Sequence, residues 1–194
     1  MTSTPSDLPT VLLTQIEEHV RGPVRERLAG LTDEEYFFDP TSAGTAWTVH
    51  PRVPAETLPP TAMQGGSGAM VIDFEYPEPV PAPLTTIAWR LGHLIVGVLG
   101  MRNHAHFGAP PADYMSWDYA ATAAEALAQF DAAYQRWIDG VRSWNAEDLR
   151  LPAGEAEGPW AERSRADLVA HIHRELIHHL AEIALLRDLW AHRG

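Results

Sequence analysis

Near the end of the chain lies the stretch Asp167-Leu-Val-Ala-His171-Ile-His173-Arg-Glu175-Leu-Ile-His178-His179-Leu-Ala-Glu182-Ile-Ala-Leu-Leu186. Its apolar residues recur with the period of an amphipathic helix, which predicts one long helix. Four of the ten histidines fall within nine of these residues. Because Glu175 and His179 are four residues apart, a helix places them one turn apart on the same face, where both can reach one cation.

Three more stretches show the helical period, and the four together predict an all-α fold, a four-helix bundle. Gly22-Pro23 is expected to kink or split the first helix, since proline removes a backbone donor. Capping boxes are expected at Thr32–Glu35, Thr122–Glu125 and Ser164–Asp167. The four helices are predicted at about Thr10 to Leu28, Ile87 to Phe107, Thr122 to Trp144 and Ser164 to His192.

A long Pro/Gly-rich loop is predicted after the first helix, because residues 39–83 contain nine prolines. Within it, the run from Ala69 to Tyr76 is compatible with an extended strand. Loops of this length are uncommon inside compact domains and are often functional. We therefore expect this loop to lie across a site as a lid.

The composition is typical of one soluble globular domain. The chain has 194 residues, 45% of them hydrophobic, so it can bury a sizeable core, and one domain over 1–194 is expected. No apolar run approaches the roughly 20 residues that span a bilayer, and no signal-peptide pattern opens the chain, so we expect a cytoplasmic protein without a membrane partner. The net charge of −12, without a basic patch, argues against nucleic acid as a partner.

The chain contains neither cysteine nor lysine. Disulfides, thiolate ligands from the protein and a lysine Schiff base are therefore excluded. If the chain carries out thiol or metal chemistry, imidazole and carboxylate groups have to supply it.

One histidine, His93, lies well inside an otherwise apolar predicted helix, in Trp89-Arg-Leu-Gly-His93-Leu. Burying a lone imidazole costs free energy unless it is hydrogen-bonded or bound to a metal. Neutral histidine is the commonest metal ligand, and three nitrogen or oxygen ligands with an open fourth position are typical of a catalytic zinc site. The candidate metal ligands are therefore His93, Glu175 and His179.

The same residues also fit a simpler interpretation. Glu175 and His179 could form an exposed i,i+4 ion pair, and His93 could be a hydrogen-bonded core histidine. Two histidines flank the pair and could orient or replace a ligand, namely His171 and His178. Two others are expected to face solvent at the end of their helix, namely His104 and His106.

Several motifs resemble those of a known family. They are Pro83-Leu-Thr-Thr-Ile-Ala-Trp-Arg-Leu-Gly-His93-Leu, Arg102, His106-Phe-Gly108 and Arg174-Glu175-Leu-Ile-His178-His179. Over about residues 8–190 the chain resembles the DinB/YfiT-like superfamily of metalloenzymes. The resemblance implies a four-helix bundle that binds a divalent metal. It implies that His93 is the ligand from the second helix and His179 the second histidine of a His-x3-His pair.

Glu175 stands where many members of that superfamily have the first histidine of the pair. The resulting His/Glu/His set is similar to that of the mycothiol-dependent maleylpyruvate isomerases, which have an additional C-terminal domain beyond the region of resemblance. Mycothiol is the thiol that this similarity implies. Zn²⁺ is the expected ion, with Ni²⁺ or Fe²⁺ as alternatives. A homodimer is expected from family habit and from the apolar surface around Gly92–Gly100.

The leading functional hypothesis is a metal-dependent thiol transferase or isomerase, in which the cation presents a low-molecular-weight thiol to a small electrophile. A thiol bound to zinc is deprotonated, and the chain has no cysteine to supply its own. In a second hypothesis the same ligands activate water for hydrolysis. In a third, the protein is a non-catalytic, dimeric binding or stress-response protein with a structural ion.

Overall fold

Most of the chain is helical in the computed structural model, which describes residues 7–41 and 43–193. The helices are α1 (Leu8–His19), α2 (Arg25–Leu28), α3 (Asp33–Tyr36), α4 (Ile87–His93), α5 (Met101–Phe107), α6 (Ala123–Arg142) and α7 (Arg165–Ala191). π-Helical turns join α1 to α2 (Val20–Val24) and α4 to α5 (Leu94–Gly100), so each of these pairs is one long helical segment.

The predicted helix boundaries agree with the structure to within a few residues, because local capping fixes them. Ser164 and Asp167 form a reciprocal capping box at the start of α7, as do Thr32 and Glu35 at α3. At α6 only half of the predicted box forms, since Glu125 accepts from the Ala121 amide instead. Gly22-Pro23 does not split the first segment, because the π-helical turn accommodates the proline.

The all-α prediction is wrong, because residues 39–83 contain a three-stranded antiparallel sheet. Its strands are β1 (Val49–Pro51), β2 (Ala62–Gly65) and β3 (Met70–Glu75), in the order β1-β3-β2. Val49 lies opposite Ile72, and Met63 lies opposite Phe74. The strand expected at residues 69–76 is thus confirmed as β3, the central strand. The fold is mixed, with the sheet packed against α4.

The long helical segments share one hydrophobic core. The first segment packs against α6 and α7, and so does the second, formed by α4 and α5. Fully buried side chains from all four segments meet there, among them Ile16, Leu91, Leu99, Phe130, Trp137, Ile172 and Ile183. Because α4 lies against α7, the functional groups that face each other across this contact can form a site. No helix among the described residues is long and apolar enough to cross a membrane.

The buried glycines of the second segment allow the sheet and the loop that follows α5 to pack closely against it. A Cβ on Gly92 would contact Ile72 of β3, and a Cβ on Gly97 would overlap the Tyr114 hydroxyl. Residues 94–100 are all buried within the single chain. The apolar surface used to predict a homodimer is therefore covered by the chain itself, and the homodimer stays a prediction without that support.

Gly140→Ala is expected to lower the free energy of unfolding by about 2 kcal/mol, because a Cβ there would lie 2.3 Å from a ring carbon of Phe107. The Cγ atom of Phe107 would be similarly close, so the whole ring would have to shift away from its contacts with Trp137 and Trp144. Gly22→Ala is the matched control, since no atom lies within 4 Å of its added Cβ. Urea denaturation of both variants measures the effect, and equal stability of the two would contradict this account of the α5–α6 contact.

Candidate metal centre

The contact between α4 and α7 brings two of the predicted ligands face to face. The rings of His93 and His179 have their centroids 4.7 Å apart and are nearly perpendicular. Glu175, one turn before His179 on α7, places its Oε2 atom 3.6 Å from His179 Nε2. The structure therefore places His93, from α4, and Glu175, from α7, each beside His179.

His93 lies between two aromatic side chains. Its ring is nearly parallel to those of Trp89 and Tyr114, with centroid distances of 5.4 Å and 6.3 Å. Its Nδ1 atom lies 2.6 Å from the Tyr114 hydroxyl oxygen. Burial lowers the pKa of His93 to about 3, assisted by the charges of His179, Arg90 and Arg102. At neutral pH the ring is neutral, which is the form that binds metal ions.

His179 is contacted by carboxylates on both ring nitrogens. Its Nδ1 atom lies 2.6 Å from Glu182 Oε2, and its Nε2 atom faces Glu175. Arg90 Nε lies 3.2 Å from the same Glu182 oxygen, and Arg90 Nη1 lies 3.3 Å from His179 Nδ1. Because the contact to Glu182 is the shorter one, we assign the Nδ1 proton to a hydrogen bond that His179 donates to Glu182.

Among the described residues, the group whose three ligand atoms are close enough together to share one ion is a different, overlapping one. It consists of His178, His179 and Glu182, whose ligand atoms lie within 4.8 Å of one another. The His178 side chain is 62% exposed, whereas that of His179 is 9% exposed. Glu182 is paired with Arg90, and this positive charge opposes a second cation at the same carboxylate. The charge of Arg90 acts on His93 as well, and Arg174 Nη2 lies 3.6 Å from Glu175 Oε1, so both groups have a positive charge beside them.

The two flanking histidines have different surroundings. His171 Nδ1 lies 3.5 Å from Glu175 Oε1 and 2.6 Å from Arg174 Nη2, near the solvent-facing side of Glu175. His178 Nε2 lies 3.3 Å from Glu182 Oε1. Each histidine contacts a carboxylate of the site, so both could orient one.

The prediction that His106 faces solvent is wrong. Its side chain is 7% exposed, and its Nε2 atom lies 2.9 Å from Glu157 Oε1. Arg102 contacts the other oxygen of Glu157 at 3.3 Å. Hydrogen bonding from His106 lowers the pKa of Glu157, so this carboxylate is ionised and ties residues 155–160 to α5. No local sequence pattern indicates this contact, because Glu157 lies 51 residues from His106.

Two surface cavities lie away from this centre. One of about 700 Å³ is lined by residues of α5 and α6, including His106, Phe107 and Arg136. The other, of about 460 Å³, lies beside Tyr119 and Gln129. None of the three predicted ligands lines either cavity.

Comparison with protein families gives a match. The family model of the DinB superfamily matches residues 18–183, a span that includes α4, most of α7 and all three predicted ligands. No curated protein and no solved structure was found to match the chain.

Proposed function

Since the chain belongs to the DinB superfamily, we propose that it binds a divalent metal ion through His93, Glu175 and His179. We propose further that the loaded protein joins a low-molecular-weight thiol to a small electrophile. Two observations support the proposal: the rings of His93 and His179 lie 4.7 Å apart across the α4–α7 contact, and Glu175 Oε2 lies 3.6 Å from His179 Nε2 on α7. The binding of an ion by these residues is a prediction for experiment.

The donor set suits a borderline divalent cation. Two imidazoles and one carboxylate are ligands of zinc, and also of iron and nickel. His93 is neutral at neutral pH, so no proton has to leave it when an ion binds. Three protein ligands leave a fourth position for an exogenous group. Zn²⁺ is therefore the ion that we expect, with Ni²⁺ or Fe²⁺ as alternatives.

A small-molecule thiol is the proposed exogenous group. A zinc-bound thiol is deprotonated at neutral pH. The chain has no cysteine, so the sulfur has to come from a separate molecule. We propose mycothiol, because the His/Glu/His set is similar to that of the mycothiol-dependent isomerases. In the proposed reaction the thiol proton passes to solvent and the sulfur forms a bond to the electrophilic carbon. In a transfer, this carbon then releases its leaving group. In an isomerisation, it releases the thiol again.

Two arginines support an electrophile that carries a carboxylate. The charges of Arg90 and Arg102 both act on His93, so both lie close to the site. Each is also paired with a protein carboxylate, Glu182 and Glu157 respectively. These pairs hold the guanidinium groups in place, and an anionic electrophile would compete with Glu182 or Glu157 for them.

Thiol conjugation of the purified protein tests the proposal. With Zn²⁺ and mycothiol, we expect conjugation to monobromobimane at least about tenfold faster than in the chelated protein. Glu175→Ala should show only the rate of the chelated protein. If zinc-loaded and chelated protein react equally with mycothiol and with other small thiols, the thiol function is wrong.

A structural role for the ion is the second candidate function, favoured by the position of both cavities away from the centre. In that case zinc raises the melting temperature, but no thiol is consumed. Thermal melting with and without chelator, beside the conjugation assay, separates the two functions.

A further inference from the structure

We propose that Tyr114 and Glu182 are positioning residues that hold the two imidazole ligands in the tautomer and orientation needed for metal binding. This inference rests on the metal site proposed above. A metal-binding histidine commonly donates its second N–H to an oxygen acceptor, which fixes the ring and raises its basicity. The structure places one oxygen group against Nδ1 of each imidazole ligand.

At His179 the acceptor is a carboxylate from the same helix. Glu182 follows three residues later, so α7 places it beside the ring, with Oε2 2.6 Å from Nδ1. A proton on Nδ1 then satisfies the carboxylate and leaves the lone pair of Nε2 directed toward Glu175. Arg90 pairs with Glu182 at 3.2 Å and balances its charge, which keeps Glu182 a hydrogen-bond acceptor instead of a ligand.

At His93 the acceptor is a phenol from the loop that follows α5. The Tyr114 oxygen lies 2.6 Å from Nδ1 and can accept the Nδ1 proton, leaving Nε2 with a free lone pair. Burial raises the pKa of Tyr114 to about 12, so the phenol is uncharged at neutral pH. Nδ1 of His93 therefore has a neutral partner, whereas Nδ1 of His179 has an anionic one.

Two glycines leave the space that Tyr114 occupies beside His93. A Cβ on Gly97 would lie 1.8 Å from the Tyr114 hydroxyl oxygen, and a Cβ on Gly65 would lie 2.6 Å from the Tyr114 backbone oxygen. Real Cβ atoms do not approach other atoms so closely, so a side chain at either position would displace Tyr114. The glycine in the second segment and the glycine in β2 thus both serve the contact to His93.

The histidine tautomers of the metal-free protein test the inference without any ion. In ¹⁵N-labelled protein near neutral pH, the long-range ¹H–¹⁵N spectrum should show the proton of His93 and of His179 on Nδ1. Tyr114→Phe should shift His93 toward the Nε2–H form and leave His179 unchanged. Glu182→Leu, which removes the acceptor, should shift His179 toward the Nε2–H form and leave His93 unchanged. Nε2–H tautomers in the unsubstituted protein would overturn the inference, whether or not the protein binds metal.

Zinc affinity gives the second readout. Tyr114→Phe and Glu182→Leu should each weaken binding by about 10- to 100-fold, the usual effect of losing such a partner. Glu182→Asp should recover part of the loss, and Gly97→Ala should behave like Tyr114→Phe. His178→Ala is the control and should stay within about threefold. Unchanged affinity in both single variants would overturn the inference, while absent binding in the unsubstituted protein would overturn the proposed metal site.

Discussion

Glu175→Ala and His93→Ala are each expected to weaken zinc binding by more than about 100-fold, beyond the usual effect of losing an outer partner. Each substitution removes one of three ligands and leaves a two-ligand site. The two residues lie on different helices, α7 and α4, so an equal loss in both variants would show that the ion bridges the helices. Competition with a chromophoric chelator measures the dissociation constants, and circular dichroism checks that each variant is folded.

The matched control for these two variants is His178→Ala. His178 belongs to the overlapping group with His179 and Glu182, but it does not belong to the proposed site. We expect it to bind zinc almost as tightly as the unsubstituted protein. Loss of binding in His178→Ala together with normal binding in His93→Ala would assign the ion to the overlapping group and contradict our assignment.

Between pH 7 and pH 4, His173→Leu is expected to lose about 3 kcal/mol less of its free energy of unfolding than the unsubstituted protein. His173 is 2% exposed, and neither ring nitrogen has a hydrogen-bond partner of normal geometry among the described residues. Burial lowers the pKa of His173 from 6.5 to about 4, an effect only partly opposed by the Leu12 backbone. As the pH falls below 6.5, His173 becomes protonated in the unfolded chain but stays neutral in the folded chain until about pH 4. The free energy of unfolding therefore decreases between these two pH values.

Urea denaturation at several pH values measures this effect as the difference between the two proteins. Taking the difference removes the contributions of the other titrating groups that the proteins share. Near pH 7 His173 is neutral in the folded chain and mostly neutral in the unfolded chain, so the pH-dependent contribution to stability is small there. If the free energies of unfolding of the two proteins change in parallel over the whole pH range, His173 is protonated as readily in the folded chain as in the unfolded chain. That result would contradict the described burial.

The helices were predictable because their signals are local. The periodic apolar positions and the caps, such as Ser164 with Asp167, lie within a few residues of the boundaries that they fix. The sheet was not predictable in the same way. β1 has three residues and ends in Pro51, and β2 reads Ala-Met-Gln-Gly, so neither carries a strand pattern of its own. Both exist through pairing with β3, which is a tertiary interaction.

The candidate site shows the same division. Helical spacing was sufficient to pair Glu175 with His179, and the apolar surroundings of His93 were sufficient to single it out. Tyr114 lay in an aromatic loop without any spacing rule that connects it to His93, 21 residues earlier. Glu182 was part of the predicted helix, but its contact with His179 depends on side-chain orientation and on Arg90.

Anomalous diffraction at the zinc edge from crystals of the zinc-loaded protein tests the central claim most directly. We expect one strong peak between α4 and α7, about 2.0–2.2 Å from Nε2 of His93, Nε2 of His179 and a carboxylate oxygen of Glu175. A peak coordinated by His178 and Glu182 without His93, or no peak at all near His179, would contradict the account.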